Sequence, residues 1–89
     1  MPQVDIVVSN KLGLHARAAA KLTQLAGSFD CEIWMEKGSR RINAKSIMGV
    51  MMLAAGKGSK VVIETTGDDE DEALEGILKL SADKFGEGE

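Results

Sequence analysis

The chain has 89 residues, 44 % of them hydrophobic, and a net charge of −3. A chain of this length forms one small domain with no room for a deep active-site cavity, so a binding surface is the expected working part. Its aromatics are two phenylalanines and one tryptophan, with no tyrosine, too few for a base-stacking platform on single-stranded nucleic acid.

The charge is uneven. Through Lys60 there are nine basic and four acidic residues; from Val61 onward there are two basic and ten acidic. The acidic second half speaks against nucleic-acid binding, whereas the basic first half suits either an acidic protein partner or an ordinary solvated face. Cys31 is alone, so no intramolecular disulfide forms, and its strand-like context reads as a small core residue. No signal-peptide layout opens the chain, and no apolar run approaches the ~20 residues that span a bilayer. The expectation is a cytoplasmic protein with no membrane insertion.

In chain order, Val4 to Val8 is β-branched and alternating, a first strand. Ser9 to Leu14 is a loop in which Gly13 permits backbone geometry that other residues avoid. A helix follows from about Ala16 to Ala26, with Ala18, Ala19, Leu22, Leu25 and Ala26 as its apolar stripe and Gly27 as its stop. Cys31 to Glu36 alternates as a second strand. Lys37-Gly38-Ser39 is a turn and Arg40 to Asn43 a third strand, which makes a hairpin. Ser46 is placed as N-cap of a short helix from Ile47 to about Ala54.

Gly56 to Ser59 is a loop, Lys60 to Thr66 a fourth strand and Gly67-Asp68 a turn. The last helix runs from about Asp69 to Lys84, with its acids in the first turn, where the helix dipole favours them. Phe85 to Glu89 reads as a frayed tail. The order β-α-β-β-α-β-α predicts a single α+β domain over residues 1–89. It would be an open-faced sandwich with three helices on one face of a four-stranded sheet.

His15, the single histidine, stands between a glycine-containing loop and a helix start, with Arg17 two residues on. A helix N-terminus offers unpaired N–H groups and a positive dipole end, and it favours a neutral, nucleophilic imidazole over an imidazolium. The same N–H groups would receive phosphoryl oxygens, and the guanidinium of Arg17 would grip them. The residues therefore allow a histidine that carries a phosphoryl group; they also allow a plain capping side chain. A metal site finds no second histidine, and no nucleophile-elbow pattern supports a serine hydrolase.

The second constellation is Asn43 to Leu53. Its methionines either fill the core or leave a flexible apolar surface suited to several partners. Ser46 is either a cap or a phosphorylation site whose charge a helix N-terminus tolerates. Arg40, Arg41 and Lys45 form a basic cluster near that helix, or merely a charged edge strand. The acidic run Asp68 to Glu72 lacks calcium-loop spacing and reads as dipole compensation.

Asn10-Lys11-Leu12-Gly13-Leu14-His15-Ala16-Arg17-Ala18 resembles the active-site signature of the HPr family, the histidine-containing phosphocarriers of the bacterial phosphoenolpyruvate-dependent sugar phosphotransferase system. Asn43-Ala44-Lys45-Ser46-Ile47-Met48-Gly49-Val50-Met51 resembles that family's regulatory-serine segment, in the same order and spacing. The resemblance implies a four-stranded antiparallel sheet covered by three helices. It implies that His15 accepts a phosphoryl group on Nδ1 from enzyme I and passes it to a histidine of an enzyme IIA domain, assisted by Arg17 and the backbone of Ala16 and Arg17.

It further implies that HPr kinase/phosphorylase modifies Ser46, and that Leu12, Ala20, Ile47, Met48, Gly49 and Met51 belong to the docking surface. A carrier of this kind is no enzyme in the turnover sense and needs no cofactor or metal; the sequence does not fix the oligomeric state, and a monomer is the default expectation. The loop Leu53 to Gly58 and the tail resemble proteobacterial members, in which the role can be regulatory. The nitrogen branch, NPr, shares the histidine motif, and the string Lys45 to Gly49 favours HPr over it. The Ser46 helix is expected to lie beside His15.

Overall fold

The computed structural model describes residues 3–9, 13–53, 56–83 and 85. The elements are β1 (Gln3–Val7), α1 (Ala16–Gly27), β2 (Glu32–Lys37), β3 (Arg40–Asn43), α2 (Ile47–Met52), β4 (Lys60–Thr66) and α3 (Glu70–Ala82). The strands form one antiparallel sheet in the order β1-β4-β2-β3. This is the predicted open-faced arrangement.

Period-2 alternation decides which face is covered. Ile6, Val61, Ile63, Thr65, Ile33 and Met35 are buried on one face, against Ala18, Ala19, Leu22 and Ala26 of α1, Val50 of α2, and Ala73 and Ile77 of α3. The alanines let α1 sit close to its neighbours α2 and α3. On the helix-free face, Arg41 lies over the Trp34 ring at 5.1 Å and pairs with Glu64 at 3.2 Å. Thr65, the buried polar residue of β4, donates its hydroxyl to the Glu70 carbonyl at 2.8 Å, so its burial leaves nothing unpaired.

Most boundary shifts have a visible cause. Val8 leaves strand pairing because its N–H donates to Ser59 O at 2.9 Å and its carbonyl accepts from Gly58 N at 2.8 Å. Lys37 joins β2 by pairing with Arg40 across the turn, where Gly38 supplies the positive φ of 61°. Helix α2 ends at Met52, with Leu53 as C-cap; Ala54 and Lys84, the predicted ends of two helices, lie outside the described residues.

Asp69 is not the first residue of α3. Its carboxylate accepts the N–H groups of Asp30 and Cys31, both at 2.9 Å, and ties the turn after α1 to the start of α3. The Asp30 N–H is the main reason its carboxyl is held below the usual carboxylate range. Asp69 stays the N-cap without a side-chain cap bond, and Glu70 closes the preceding turn by accepting Gly67 N–H at 3.1 Å. Gly67 has no alternative here: φ is 147°, and a Cβ would stand 2.7 Å from the Cβ of Cys31. Cys31 is buried as expected. Burial, with the Asp69 hydrogen bond second, pushes its thiol up from 9.0 to about 11.

Phe85 corrects the reading of a frayed tail beginning at that position. It is fully buried in the main core, with φ 55°. An aromatic side chain gains enough from burial to hold the backbone in a region that non-glycine residues seldom adopt. Residues 86–89 lie outside the described residues.

Two outcomes follow for stability. Phe85→Ala is expected to lower the unfolding free energy by about 3–5 kcal/mol in a urea titration, against little change if the tail were frayed. Stability is also expected to fall at both pH extremes. Asp69, depressed in the fold, loses its contribution as pH drops through and below the ordinary carboxylate range. Cys31, raised in the fold, costs stability as pH climbs from 9.0 towards about 11, because the unfolded thiol ionises first. Cys31→Ala should flatten the alkaline limb in pH-dependent denaturation.

Candidate functional site at the start of helix α1

Helix α1 begins on His15. The residue is the N-cap, with extended backbone (φ −80°, ψ −179°), and its carbonyl accepts Ala19 N–H at 2.8 Å. Three features place it. Gly13 turns the chain with φ 68°. Leu14 is buried and pins the loop to the core. His15 N–H donates back to Gly13 O at 3.0 Å.

The ring then folds over the helix end, where Nδ1 accepts the backbone N–H of Arg17 at 3.4 Å. A nitrogen that accepts carries a lone pair, so in the neutral ring the proton sits on Nε2. The lone pair of Nδ1 therefore faces the helix end. Ala16 and Arg17 are exposed and His15 is half-buried, so a partner can reach the ring without any pocket.

Ala20 is half-buried on α1, and Leu12 lies outside the described residues. Ser46 is the N-cap of α2, its Oγ accepting Gly49 N–H at 3.1 Å. Of the two sequence alternatives for the methionines, exposure holds on α2. Met48 is 67 % and Met52 64 % exposed, with Ile47 and Met51 also in solvent, while Val50 and Leu53 enter the core. Gly49 lets α2 lie close to β3, because a Cβ there would be 3.4 Å from Ile42 Cβ and Asn43 O.

Helices α1 and α2 pack against each other, but they run in opposite senses. Asn43, at the end of β3, pairs with Trp34 near the start of β2, the strand that α1 leads into. Lys45, next to Ser46, donates from Nζ to Phe29 O just beyond the C-terminal end of α1 at 2.7 Å. The far end of α2 returns to the start of β3, where Arg40 Nη1 donates to Met52 O at 2.6 Å. His15 caps the opposite end of α1, which is 12 residues or about 18 Å long. The Ser46 helix thus lies alongside α1, the helix that His15 caps, as expected. Ser46 sits towards the far end of α1, and it is the methionine-bearing end of α2 that lies on the His15 side.

The expected basic cluster is likewise dispersed. Arg40 holds α2, Lys45 holds the turn after α1 and Arg41 points to the other sheet face. Nothing in the periodicity of the chain pairs Arg40 with position 52 or Asp69 with positions 30 and 31, so these contacts had no sequence signal. Among the described residues no group of three or more His, Cys, Asp or Glu side chains is placed to hold a metal ion. No helix among them is long and apolar enough to cross a membrane.

A histidine capping a helix on an open-faced sandwich, next to a short helix with exposed methionines, suits a domain that works at its surface with protein partners. Residues 2–83 match the family described as "PTS HPr component phosphorylation site", and the chain belongs to this HPr family of phosphocarrier proteins of the phosphotransferase system. It is 61 % identical over 89 residues to the phosphocarrier protein HPr of Cupriavidus necator, covering all of both chains. It is 44 % identical over 83 residues to the phosphocarrier protein NPr of Shewanella violacea, covering 93 % of this chain and 91 % of that one. The crystal structure of HPr from Thermoanaerobacter tengcongensis superposes with a TM-score of 0.95 at 47 % identity, covering 98 % of each chain.

Removing the cap hydroxyl tests how α2 is held. Ser46→Ala is expected to cost about 1 kcal/mol by thermal or chemical denaturation, whereas Ser46→Asp retains an accepting oxygen and most of that stability.

Proposed function

We propose that His15 Nδ1 is the phosphoryl acceptor. The observation that carries this is the Arg17 N–H aimed at Nδ1 from the end of α1, at 3.4 Å. Phosphorylated enzyme I supplies the group. The Nδ1 lone pair forms a bond to phosphorus as the donor's nitrogen–phosphorus bond breaks, and the electron pair of that bond stays with the donor. The phosphoryl oxygens then take over the Arg17 N–H, with the Ala16 N–H and the Arg17 guanidinium beside them. The product is a charge-assisted arrangement at the positive end of a helix.

Transfer onward to a histidine of an enzyme IIA domain reverses the same step. The chain positions and stabilises the group but turns over no substrate of its own, and it needs no cofactor. Ile47, Met48, Gly49 and Met51, with Ala20 and Leu12, form the docking surface for these proteins, and the protein acts as a cytoplasmic monomer.

Ser46 is the regulatory site, modified by HPr kinase/phosphorylase from ATP. A phosphate there keeps an acceptor for Gly49 N–H, so α2 survives. Because Ser46 stands away from His15, its charge acts on the docking of partners over α2 rather than on the ring. The likeness to NPr supports a second reading, a regulatory or nitrogen-branch relay built on the same histidine.

The test is transfer from phosphoenolpyruvate through purified enzyme I. Acid-labile, alkali-stable phosphate should appear on the parent and be absent from His15→Ala; labelling of His15→Ala at the parent level would overturn the assignment. Arg17→Ala should slow transfer roughly tenfold or more, the worth of one charge-assisted contact. Ser46→Asp should raise the KM for the carrier. Chromatographic size in the same preparation reports the monomer.

A further inference from the structure

Helix α2 is six residues long, well below the length at which a helix persists alone. It nonetheless presents the exposed methionines, so something outside the helix must fix its orientation. Val50 and Leu53 anchor one side in the core. At the N-terminal end the Ser46 hydroxyl closes the first turn. At the C-terminal end the Met52 carbonyl accepts the guanidinium of Arg40, a charged donor from β3, at 2.6 Å. Helix C-termini carry partial negative charge, so a cation there is doubly placed.

Shallow grooves flank Arg40, one against Lys37, Gly38, Ser39 and Leu53, the other against Ser39, Arg41, Ile42 and Met52. The side chain is exposed, so Arg40 adds a directional bond from β3 to the end of α2 beside the core anchorage of Leu53.

We infer that Arg40 is a positioning residue for partner docking: its bond to the Met52 carbonyl sets the pose of α2 and hence of Met48, Met51 and Met52. The inference rests on the reading of α2 as part of the docking surface. Arg40 touches neither His15 nor any phosphoryl oxygen in this scheme, so it acts on encounter and not on chemistry.

The experiment compares R40A and M48A with the parent, using enzyme I and phosphoenolpyruvate, together with amide hydrogen exchange of the free proteins. R40A is expected to keep kcat, to raise the KM for the carrier roughly three- to tenfold, and to exchange faster at the α2-closing amides of Val50 and Leu53 by a similar factor. Its melting temperature should stay within a few degrees, since Arg40 is exposed.

A parent-like KM in R40A with a raised KM in M48A would overturn the role of Arg40 while keeping the docking surface. Parent-like values in both would sink the docking reading and this inference together. A raised KM in R40A with unchanged exchange would show that Arg40 meets the partner directly, and would also overturn the inference.

Discussion

The start of helix α1 carries two demands that usually fall on different atoms. A helix must satisfy its first N–H groups, and a phosphocarrier must hold a transient anion. Here the imidazole of His15 meets the first demand by accepting the Arg17 N–H on Nδ1. Under the proposed assignment the same contact readies the site for the second, because a group that arrives on Nδ1 would inherit the amide. The rest of the fold serves that geometry. Gly13 turns the loop, Leu14 anchors it, and the buried alanines of α1 hold the helix against α2 and α3.

Such a site needs no cavity, which suits a domain of this size. Specificity must instead come from a surface shared by successive partners. The exposed methionines of α2 suit that, since flexible thioether chains adapt to different surfaces at little cost. A short helix can present them only if its ends are fixed. Ser46 fixes one end and Arg40 the other. Under the proposed reading, a phosphate on Ser46 would fall in the part of the molecule that meets partners and leave the start of α1 undisturbed.

Much of this was legible in the chain. Alternation marked β1 and β2, a turn marked the hairpin to β3, and apolar stripes marked α1 and α3. The position of His15 and Ser46 as caps followed from what precedes each helix. What the chain could not show were contacts set by the sheet order. Asp69 looked like one acid among several in a first turn, yet its carboxylate reaches across 38 and 39 residues to Cys31 and Asp30. Phe85, after the last helix and before a run of glycine and glutamate, looked like tail, yet it closes the core. The relative sense of α1 and α2, and so the distance of Ser46 from His15, depends on strand pairing that local patterns do not encode. The same holds for the dispersal of Arg40, Arg41 and Lys45.

The most direct test of this account is nitrogen-15 NMR of the His15 ring before and after phosphorylation by enzyme I and phosphoenolpyruvate. The free protein should show the tautomer with its proton on Nε2. The phosphorylated protein should show phosphorus coupling at Nδ1 and a large shift of the Arg17 amide. Coupling at Nε2, or a modified ring that leaves the Arg17 amide unmoved, would contradict it.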